Sequence, residues 1–404
     1  MKKNKSENIF IKFSNFLDLD TRLFGLIFAM AIIWIGFDIL TGGIFLSPRN
    51  IFNLTAQFSV VGIMSTGMVL IIVARNIDLS VGSLLGFVGI CGGMLQVHVL
   101  DYGQSYNWLL ACSLMMIVGA IVGLLQGLLV SYLGITAFIV TLGGLLIYRN
   151  GAWALSKGVT QAPLDENFLI LGGGRGGTIG EFWTWVVAIT ACLLVIFYTF
   201  YIRRRRETYN FKVRKLWLEL VLIIVWISII LSFAYMLNSY QRPKTDSGAG
   251  IPIPFLILIF VAAMMTIIAN FTKFGRYVYA IGGNPESAEL SGIDVKKVIL
   301  LSFVLMGFLT AIASIVITSR IGAAATVTGT MTELNVIAAA VIGGTSLSGG
   351  IGTVYGAVLG AIFMQSLENG MVLIGIPTPI QKIIIGCVLI FAVWLDAIYK
   401  KKKK

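Results

Sequence analysis

Residues 54–99 read LTAQFSVVGIMSTGMVLIIVARNIDLSVGSLLGFVGICGGMLQVHV, two apolar runs separated by a short polar stretch. A helix that crosses a membrane needs roughly 20 predominantly apolar residues. The runs 54–74 and 79–99 both have this length, and neither contains Asp, Glu, Lys or Arg. The segment therefore predicts two membrane helices with a polar interruption between them.

Similar runs recur along the whole chain of 404 residues, of which 57% are hydrophobic and 12% charged. Soluble domains are about 45–50% apolar and about 25% charged, so the composition excludes a soluble enzyme, a disordered chain and a secreted disulfide scaffold. The run at 333–346 is short for a span and predicts a broken or re-entrant helix. We expect an all-α integral membrane protein, a polytopic bundle of about 10–12 transmembrane helices with broken or re-entrant segments. The apolar runs lie near 23–41, 54–74, 79–99, 108–131, 135–155, 183–202, 216–237, 252–270, 297–318, 333–346, 352–374 and 380–398.

The formal net charge is +12, and most of the basic residues lie between or outside the apolar runs. Cytoplasmic loops of membrane proteins retain Lys and Arg, so this pattern indicates membrane orientation rather than nucleic-acid binding. It predicts a multi-pass protein with both termini in the cytoplasm. The predicted parts are a cytoplasmic tail 1–22, a transmembrane domain 23–399 with cytoplasmic loops 203–215 and 271–296, and a lysine-rich cytoplasmic tail 400–404.

The sequence indicates neither a metal site nor a nucleotide-binding site. The single histidine, His98, ends an apolar run, and the four cysteines lie in four separate runs, so we expect no metal site. The phosphate-binding motif G-x-x-x-x-G-K-[ST] does not occur, so we expect any ATP to be used by another subunit.

Two polar interruptions share the pattern Leu-Ser-x-Gly, at 79–82 and at 347–350. Interrupted hydrophobic segments in the two halves of a transporter point to a pathway between repeats, although a match of four residues also arises by chance. Asp78 has a second interpretation, as the N-cap of a helix that begins at Leu79. Hydroxyls and amides both donate and accept hydrogen bonds, as passage of a neutral polyol requires. The predicted pathway residues are Asn76, Asp78, Ser80, Ser83, Thr345, Ser346, Ser348 and, nearby, Asn369.

The loop between the runs 252–270 and 297–318 carries strong helix signals. Asn284 suits an N-cap, Pro285 suits the first helical position, Glu286 favours the positive helix start, and Gly292 suits the position after the end. The pattern predicts one short helix of about two turns. Because so short a helix is marginal alone, we expect a partner to pack on it; the alternative is a solvated turn.

Four segments together resemble the permeases of carbohydrate-importing ABC transporters of the ribose, galactose and xylose type. They are IDLSVGS at 77–83, TAFIVTLGGLLIYRNG at 136–151, RYVYAIGGNPESAELSGIDVKK at 276–297 and AAVIGGTSLSGGIGT at 339–353. Within this family the chain looks most like the D-xylose branch, which has a similar basic membrane-spanning insertion at 203–240. The Arg-rich segment, the lysine tail and 241–250 depart from the family pattern.

The resemblance implies a permease subunit in the bacterial inner membrane that works as a homodimer. Its implied partners are a cytoplasmic ABC ATPase, which uses the ATP, and a periplasmic sugar-binding protein. By the same resemblance, the loop residues that contact the ATPase are Gly283, Asn284, Pro285, Glu286, Ala288, Leu290, Ser291 and Gly292.

Two other classes of protein are weighed against this expectation. An ion-coupled secondary transporter or channel for a small neutral solute would carry a relay of buried carboxylates, and only Asp78 is a strong candidate, because Asp38, Glu333 and Glu368 sit near span ends. An intramembrane enzyme would need a catalytic constellation such as His with Asp or Glu, and the chain has one histidine. The capped loop favours the transport subunit over both.

Overall fold

A computed structural model describes residues 21–403 except 101–102, 175, 212 and 242–246. The predicted tail residues 1–20 and Lys404 lie outside the described residues. The helices are, in chain order, α1 Thr21–Leu40, α2 Pro48–Val73, α3 Val81–Met94 (continued by a π-helical turn Leu95–Val99), α4 Asn107–Ser131, α5 Ala137–Ser156, α6 Glu166–Ile170, α7 Gly180–Thr208, α8 Leu216–Ser239, α9 Ile253–Phe271, α10 Lys273–Gly283, α11 Pro285–Leu290, α12 Val295–Ile321, α13 Thr332–Ile342, α14 Val354–Leu373 and α15 Thr378–Lys403.

The predicted polytopic helical bundle is confirmed. Among the described residues, nine helical segments are long and apolar enough to cross a membrane, and shorter apolar helices are found in α1, α13 and α15. The short run at 333–346 forms α13, which has 11 residues. One boundary differs by six residues: α2 begins at Pro48 and not near 54, because Ser47 caps it by accepting a hydrogen bond from the Asn50 N–H at 3.4 Å.

Contacts between helices show which of their ends lie together. Val73, at the end of α2, lies against Gly282 of α10 and accepts a hydrogen bond from the Gly350 N–H, just before α14. We call this end of the bundle the α10–α11 end and the opposite one the far end. An isolated bridge between Thr178 and Pro252 joins the starts of α7 and α9, so these helices run in the same direction, toward the α10–α11 end.

The two terminal helices follow from their contacts with α14. Trp34 donates a hydrogen bond to Ser366 at 3.0 Å, and Phe37 packs over Gly370, so α1 runs parallel to α14 and begins at the α10–α11 end. The chain reverses direction after Leu373, so α15 runs back toward the α10–α11 end and finishes at that end. The basic segments around 203–215 and 273–297 and the end of α15 therefore share one end of the bundle.

Helix α2 is the centre of the core. Nearly all of its residues are buried against α9, α12, α13 and α14. The outer helices α4, α5, α7 and α8 instead expose many large apolar side chains, such as Ile147, Leu193 and Trp226. Apolar side chains on the outside are what a lipid-facing surface requires, because lipid is as apolar as the side chains.

Helices α4 and α12 make the most extensive helix–helix contact among the described residues. A Cβ atom at Gly119 or Gly123 would overlap the backbone oxygen of Gly307 or Phe303, respectively. Small residues at such positions let two backbones approach closely in a membrane. The pair is therefore held by direct backbone contact along two turns.

The basic segment 203–215, predicted as a loop, is partly helical. Helix α7 continues through the arginines to Thr208 because Arg203 forms ion pairs with Glu207, one turn ahead at 3.0 Å, and with Glu219 of α8 at 2.6 Å. The two contacts neutralise charge at this end of the α7–α8 pair and extend the helix beyond the apolar run.

Candidate functional site

The predicted capped helix is confirmed as α11, with six residues. The Asn284 side chain accepts a hydrogen bond from the Ser287 N–H at 3.1 Å, and Pro285 occupies the first turn. Gly292 follows the helix with φ +83°, a left-handed conformation that favours glycine. Local sequence thus determines both ends of this short helix.

A second helix, α10, directly precedes it and was missed by the sequence analysis. Its apolar residues Phe274, Val278 and Ile281 repeat at intervals of four and three, which is the period of one helix face. That spacing could have revealed the helix. The loop 271–296 is therefore two consecutive helices and not a loop with one.

Helix α10 is fixed to the bundle through its last two residues. A Cβ atom on Gly282 would overlap the backbone of Val73 and Gly350. Arg75 donates from Nε to the Gly282 oxygen at 2.9 Å and from Nη2 to the Gly283 oxygen at 2.7 Å. Backbone packing and a forked arginine contact together connect α10 to the end of α2.

The segment 343–352 completes this end of the bundle. Tyr279 of α10 donates a hydrogen bond to the Gly352 oxygen at 2.7 Å, and burial raises the pKa of its phenol, which keeps the donor protonated. Ser346 and Ser348 hydrogen-bond each other at 3.0 Å, and Thr345 and Ser346 are buried. The second polar interruption thus lies under α10, at the α10–α11 end.

Helix α11 has an inner and an outer face. Ala288 is buried against the bundle, whereas Glu286, Ser291 and Gly292 are exposed. Leu290 is 89% exposed, outside any span. An apolar side chain so placed at the end of the bundle suits contact with another protein.

The first polar interruption lies elsewhere. Asp78 Oδ1 accepts hydrogen bonds from the Ser80 N–H at 2.9 Å and hydroxyl at 2.7 Å, and Gln126 of α4 donates to the Ser80 hydroxyl at 2.7 Å. The interpretation of Asp78 as the N-cap of a helix from Leu79 is wrong. The helix begins at Val81 with Ser80 at the N-cap position, because the Asp78 side chain closes a turn two residues ahead instead.

Asn76 and Ser83 flank this turn in the chain without sharing the hydrogen bonds described above, and the other predicted pathway residues lie elsewhere. Asn76 donates to the Ala74 oxygen at 3.0 Å, and Ser83 is buried in the first turn of α3. Asn369 lies toward the far end, where it accepts a hydrogen bond from Asn50 at 2.9 Å. The eight predicted residues thus occupy three places in the bundle, and their part in a pathway stays a prediction.

A cavity of about 220 Å³ lies among α2, α12, α13, α14 and α15. Lys382 Nζ lies 2.9 Å from Glu368 Oε1, and Glu368 Oε2 accepts hydrogen bonds from Asn335 at 3.0 Å and Gln365 at 3.3 Å. Gln57 also lines this cavity. These residues were not predicted as a group. A polar residue inside an apolar run, such as Gln57 or Gln365, could have indicated a functional position.

Two carboxylates lie deeper than expected from their position near the ends of apolar runs. Glu333 is nine-tenths buried and packs against Gly82 at the start of α3, and Glu368 is about four-fifths buried in its ion pair with Lys382. The reason is that α13 is short and begins inside the bundle. Its first turn therefore places Glu333 in the interior and not at a membrane surface.

A bundle of membrane helices with a helical end platform and an internal polar cavity has the architecture of a transport subunit. The chain belongs to the family described as branched-chain amino acid transport system, permease component, whose model matches residues 50–393. It is a multi-pass permease component of a transport system.

Individual relatives narrow this class. The chain is 36% identical to the xylose transport system permease protein XylH of Haemophilus influenzae, over 95% of this chain and 98% of the relative. It is 34% identical to XylH of Escherichia coli K12, over 96% and 95%. It is 30% identical to the ribose import permease protein RbsC of the same strain, over 87% of both chains. No solved structure matches the chain significantly.

Proposed function

We propose that this chain is the membrane permease subunit of an ATP-driven importer of a neutral monosaccharide, with D-xylose as the first candidate. The observation that carries the proposal is the α10–α11 platform. It is anchored to the bundle at Gly282 and Ala288, and it presents Leu290 to the outside. A subunit that takes its energy from another protein needs such a contact.

The proposal places the α10–α11 end in the cytoplasm of a bacterial inner membrane. Support comes from the basic segments 203–215 and 273–297 and the lysine-rich end of α15, which share that end. Cytoplasmic segments retain Lys and Arg. Both termini are then cytoplasmic, since α1 begins and α15 ends on that side.

Three protein partners follow from the proposal. A cytoplasmic ABC ATPase contacts α11 and supplies the ATP-dependent step, because the phosphate-binding motif G-x-x-x-x-G-K-[ST] does not occur in this chain. We expect this chain to bind no cofactor of its own. A periplasmic sugar-binding protein delivers the sugar to the far end. A second copy of this chain completes a homodimer.

The substrate class is argued from the relatives and the cavity. The family description names branched-chain amino acids, whereas the relatives described above are named for xylose and ribose. Glu368 is the one carboxylate among the lining residues, and it pairs with Lys382, so the cavity offers no free carboxylate to hold the ammonium group of an amino acid. Hydroxyls and amides supply the uncharged polar groups, which suits a neutral polyol; they belong to Gln57, Thr328, Thr330, Thr332, Asn335 and Gln365.

The test is uptake by vesicles that contain the permease, its ATPase and its binding protein, with D-xylose and L-leucine as the two probes. We expect ATP-dependent uptake of D-xylose. Leu290→Asp should lower both ATPase co-purification and uptake, because it puts a charge into an apolar contact. Phe211→Asp is the matched control, since Phe211 is also an exposed apolar residue at this end but lies outside α11.

Uptake of L-leucine without competition by any pentose or hexose would refute the sugar assignment. Normal ATPase binding by the Leu290 variant would refute the docking role of α11.

A further inference from the structure

We infer that the cavity among α12, α13, α14 and α15 is a binding site for the hydroxyl groups of the sugar in transit, at the far side of the bundle from the ATPase contact. This inference rests on the proposed function and states where in the bundle the transported sugar binds. Asn335 is 93% buried and lines the cavity.

One polar atom of Asn335 lacks a partner. Its Nδ2 donates to Glu368 Oε2 at 3.0 Å, but its Oδ1 has no hydrogen-bond partner among the described residues. Buried polar atoms in proteins are nearly always paired, so an exception next to a cavity needs an explanation. A ligand that brings an O–H donor into the cavity would satisfy it.

The rest of the lining offers complementary groups. Lys382 has three N–H donors, and one of them is directed at Glu368. The Gln365 and Gln57 side chains supply an amide donor and an amide acceptor each. A sugar hydroxyl both donates and accepts, so it can replace water at each of these groups without carrying charge.

The charges at the cavity are compatible with a neutral sugar and leave a sugar acid as the alternative to be tested. Glu368 and Lys382 neutralise each other at 2.9 Å, whereas Arg320 adds a further cation to the lining. A neutral sugar needs no counter-charge and can accept hydrogen bonds from the arginine. A sugar acid would pair with Arg320, and the experiment below separates the two.

The volume fits a single monosaccharide. About 220 Å³ is smaller than the roughly 300–1,000 Å³ typical of pockets for drug-sized ligands.

The position of the cavity also suits a sugar that has arrived from the far end. Glu368 follows Val354, at the start of α14, by 14 residues, so it lies about 21 Å from the α10–α11 end at 1.5 Å per residue. Between the two, α13 and α14 are in backbone contact: a Cβ on Gly360 would overlap the Ala339 oxygen. Passage between these helices toward the ATPase end is closed here.

The experiment uses the complete importer in vesicles and two measurements. The first is D-xylose uptake by Asn335→Ala, with Asn150→Ala as control, because Asn150 is an exposed asparagine on α5 away from the cavity. Loss of one hydrogen bond should lower uptake at subsaturating sugar by about three- to tenfold, and the control should match wild type. The second is labelling of Gln365→Cys by a water-soluble thiol reagent after removal of the four native cysteines.

D-Xylose at high concentration should slow the labelling of Gln365→Cys, and D-xylonate should not. Normal uptake by Asn335→Ala would overturn the inference that this cavity binds the sugar, and so would labelling that D-xylose leaves unchanged. In either case D-xylose uptake by the wild type would still support the proposed function. Protection by D-xylonate alone would also overturn the inference. Absence of uptake of every pentose and hexose by the wild-type importer would instead refute the proposed function itself. The labelling measurement keeps the test decisive if Asn335→Ala fails to fold.

Discussion

Two adjacent glycines at the end of α10 allow a sharp test of how the platform is attached. A Cβ atom on Gly282 would overlap the backbone of Val73 and Gly350, whereas a Cβ atom on Gly283 would meet nothing within 4 Å. Backbone atoms cannot rotate away as a flexible side chain can. Gly282→Ala should therefore loosen α10 from the bundle, and Gly283→Ala is its matched control.

The size of the effect follows from the cost of overpacking. An extra methyl group in a well-packed site costs about 1–3 kcal/mol, which is roughly a 5- to 160-fold change in a local opening equilibrium. Amide hydrogen exchange of α10 and α11 in the purified permease measures this opening directly. We expect exchange to accelerate by that factor in Gly282→Ala, with α4 and α12 unchanged, and to remain at the wild-type rate in Gly283→Ala.

Equal exchange rates in wild type and Gly282→Ala would refute the inference that backbone contact fixes the platform. If both variants accelerated equally, the cause would be the side chain itself and not the contact with α2.

Three other positions give contrasting outcomes in thermal unfolding of the purified permease. Asp78→Ala should destabilise it by about 1–3 kcal/mol, because the buried Ser80 N–H loses its acceptor, whereas Asp78→Asn keeps an acceptor oxygen and should be milder; equal losses would contradict this reasoning. Gly119→Ala should destabilise by about 1–3 kcal/mol, because its Cβ would overlap the Gly307 oxygen. Gly143→Ala, with open space around it, should be neutral or stabilising by about 0.5–1 kcal/mol, and the same sign at both glycines would refute the packing argument.

The sequence was informative wherever one segment decides its own structure. Span positions follow from the length of an apolar run, and the ends of α11 follow from Asn284, Pro285 and Gly292, because caps act within one turn. Helix α10 has an equally local signal in the spacing of Phe274, Val278 and Ile281. This helical period was not recognised, because the segment was interpreted as a loop.

The cavity could not be predicted in the same way. Its polar atoms come from Gln57, Asn335, Glu368 and Lys382, which lie on four helices far apart in the chain. Their proximity depends on which faces of α2, α13, α14 and α15 meet, and no single stretch of sequence specifies this. Each residue could be noticed alone, as a polar group in an apolar run, but nothing in the sequence indicates that these residues form one group.

The close contact between α4 and α12 has a mechanical consequence. The Asp294 side chain caps α12 by accepting a hydrogen bond from the Lys297 N–H at 3.0 Å, only a few residues after α11 ends. A displacement of α11, such as the proposed ATPase contact would cause, would reach α12 through the short link 291–294, and would reach α4 through the backbone contacts at Gly119 and Gly123. We therefore expect α11, α12 and α4 to move together.

The cavity residues that hydrogen-bond one another, Asn335, Gln365, Glu368 and Lys382, lie on α13, α14 and α15, whereas α12 contributes Ile317, Arg320 and Ile321 near its last turn. Substitutions on α13, α14 and α15 would therefore alter the cavity while leaving the backbone contacts between α4 and α12 unchanged. This division would allow related permeases to change the transported solute through substitutions on α13, α14 and α15. The helices α11, α12 and α4 could then stay the same.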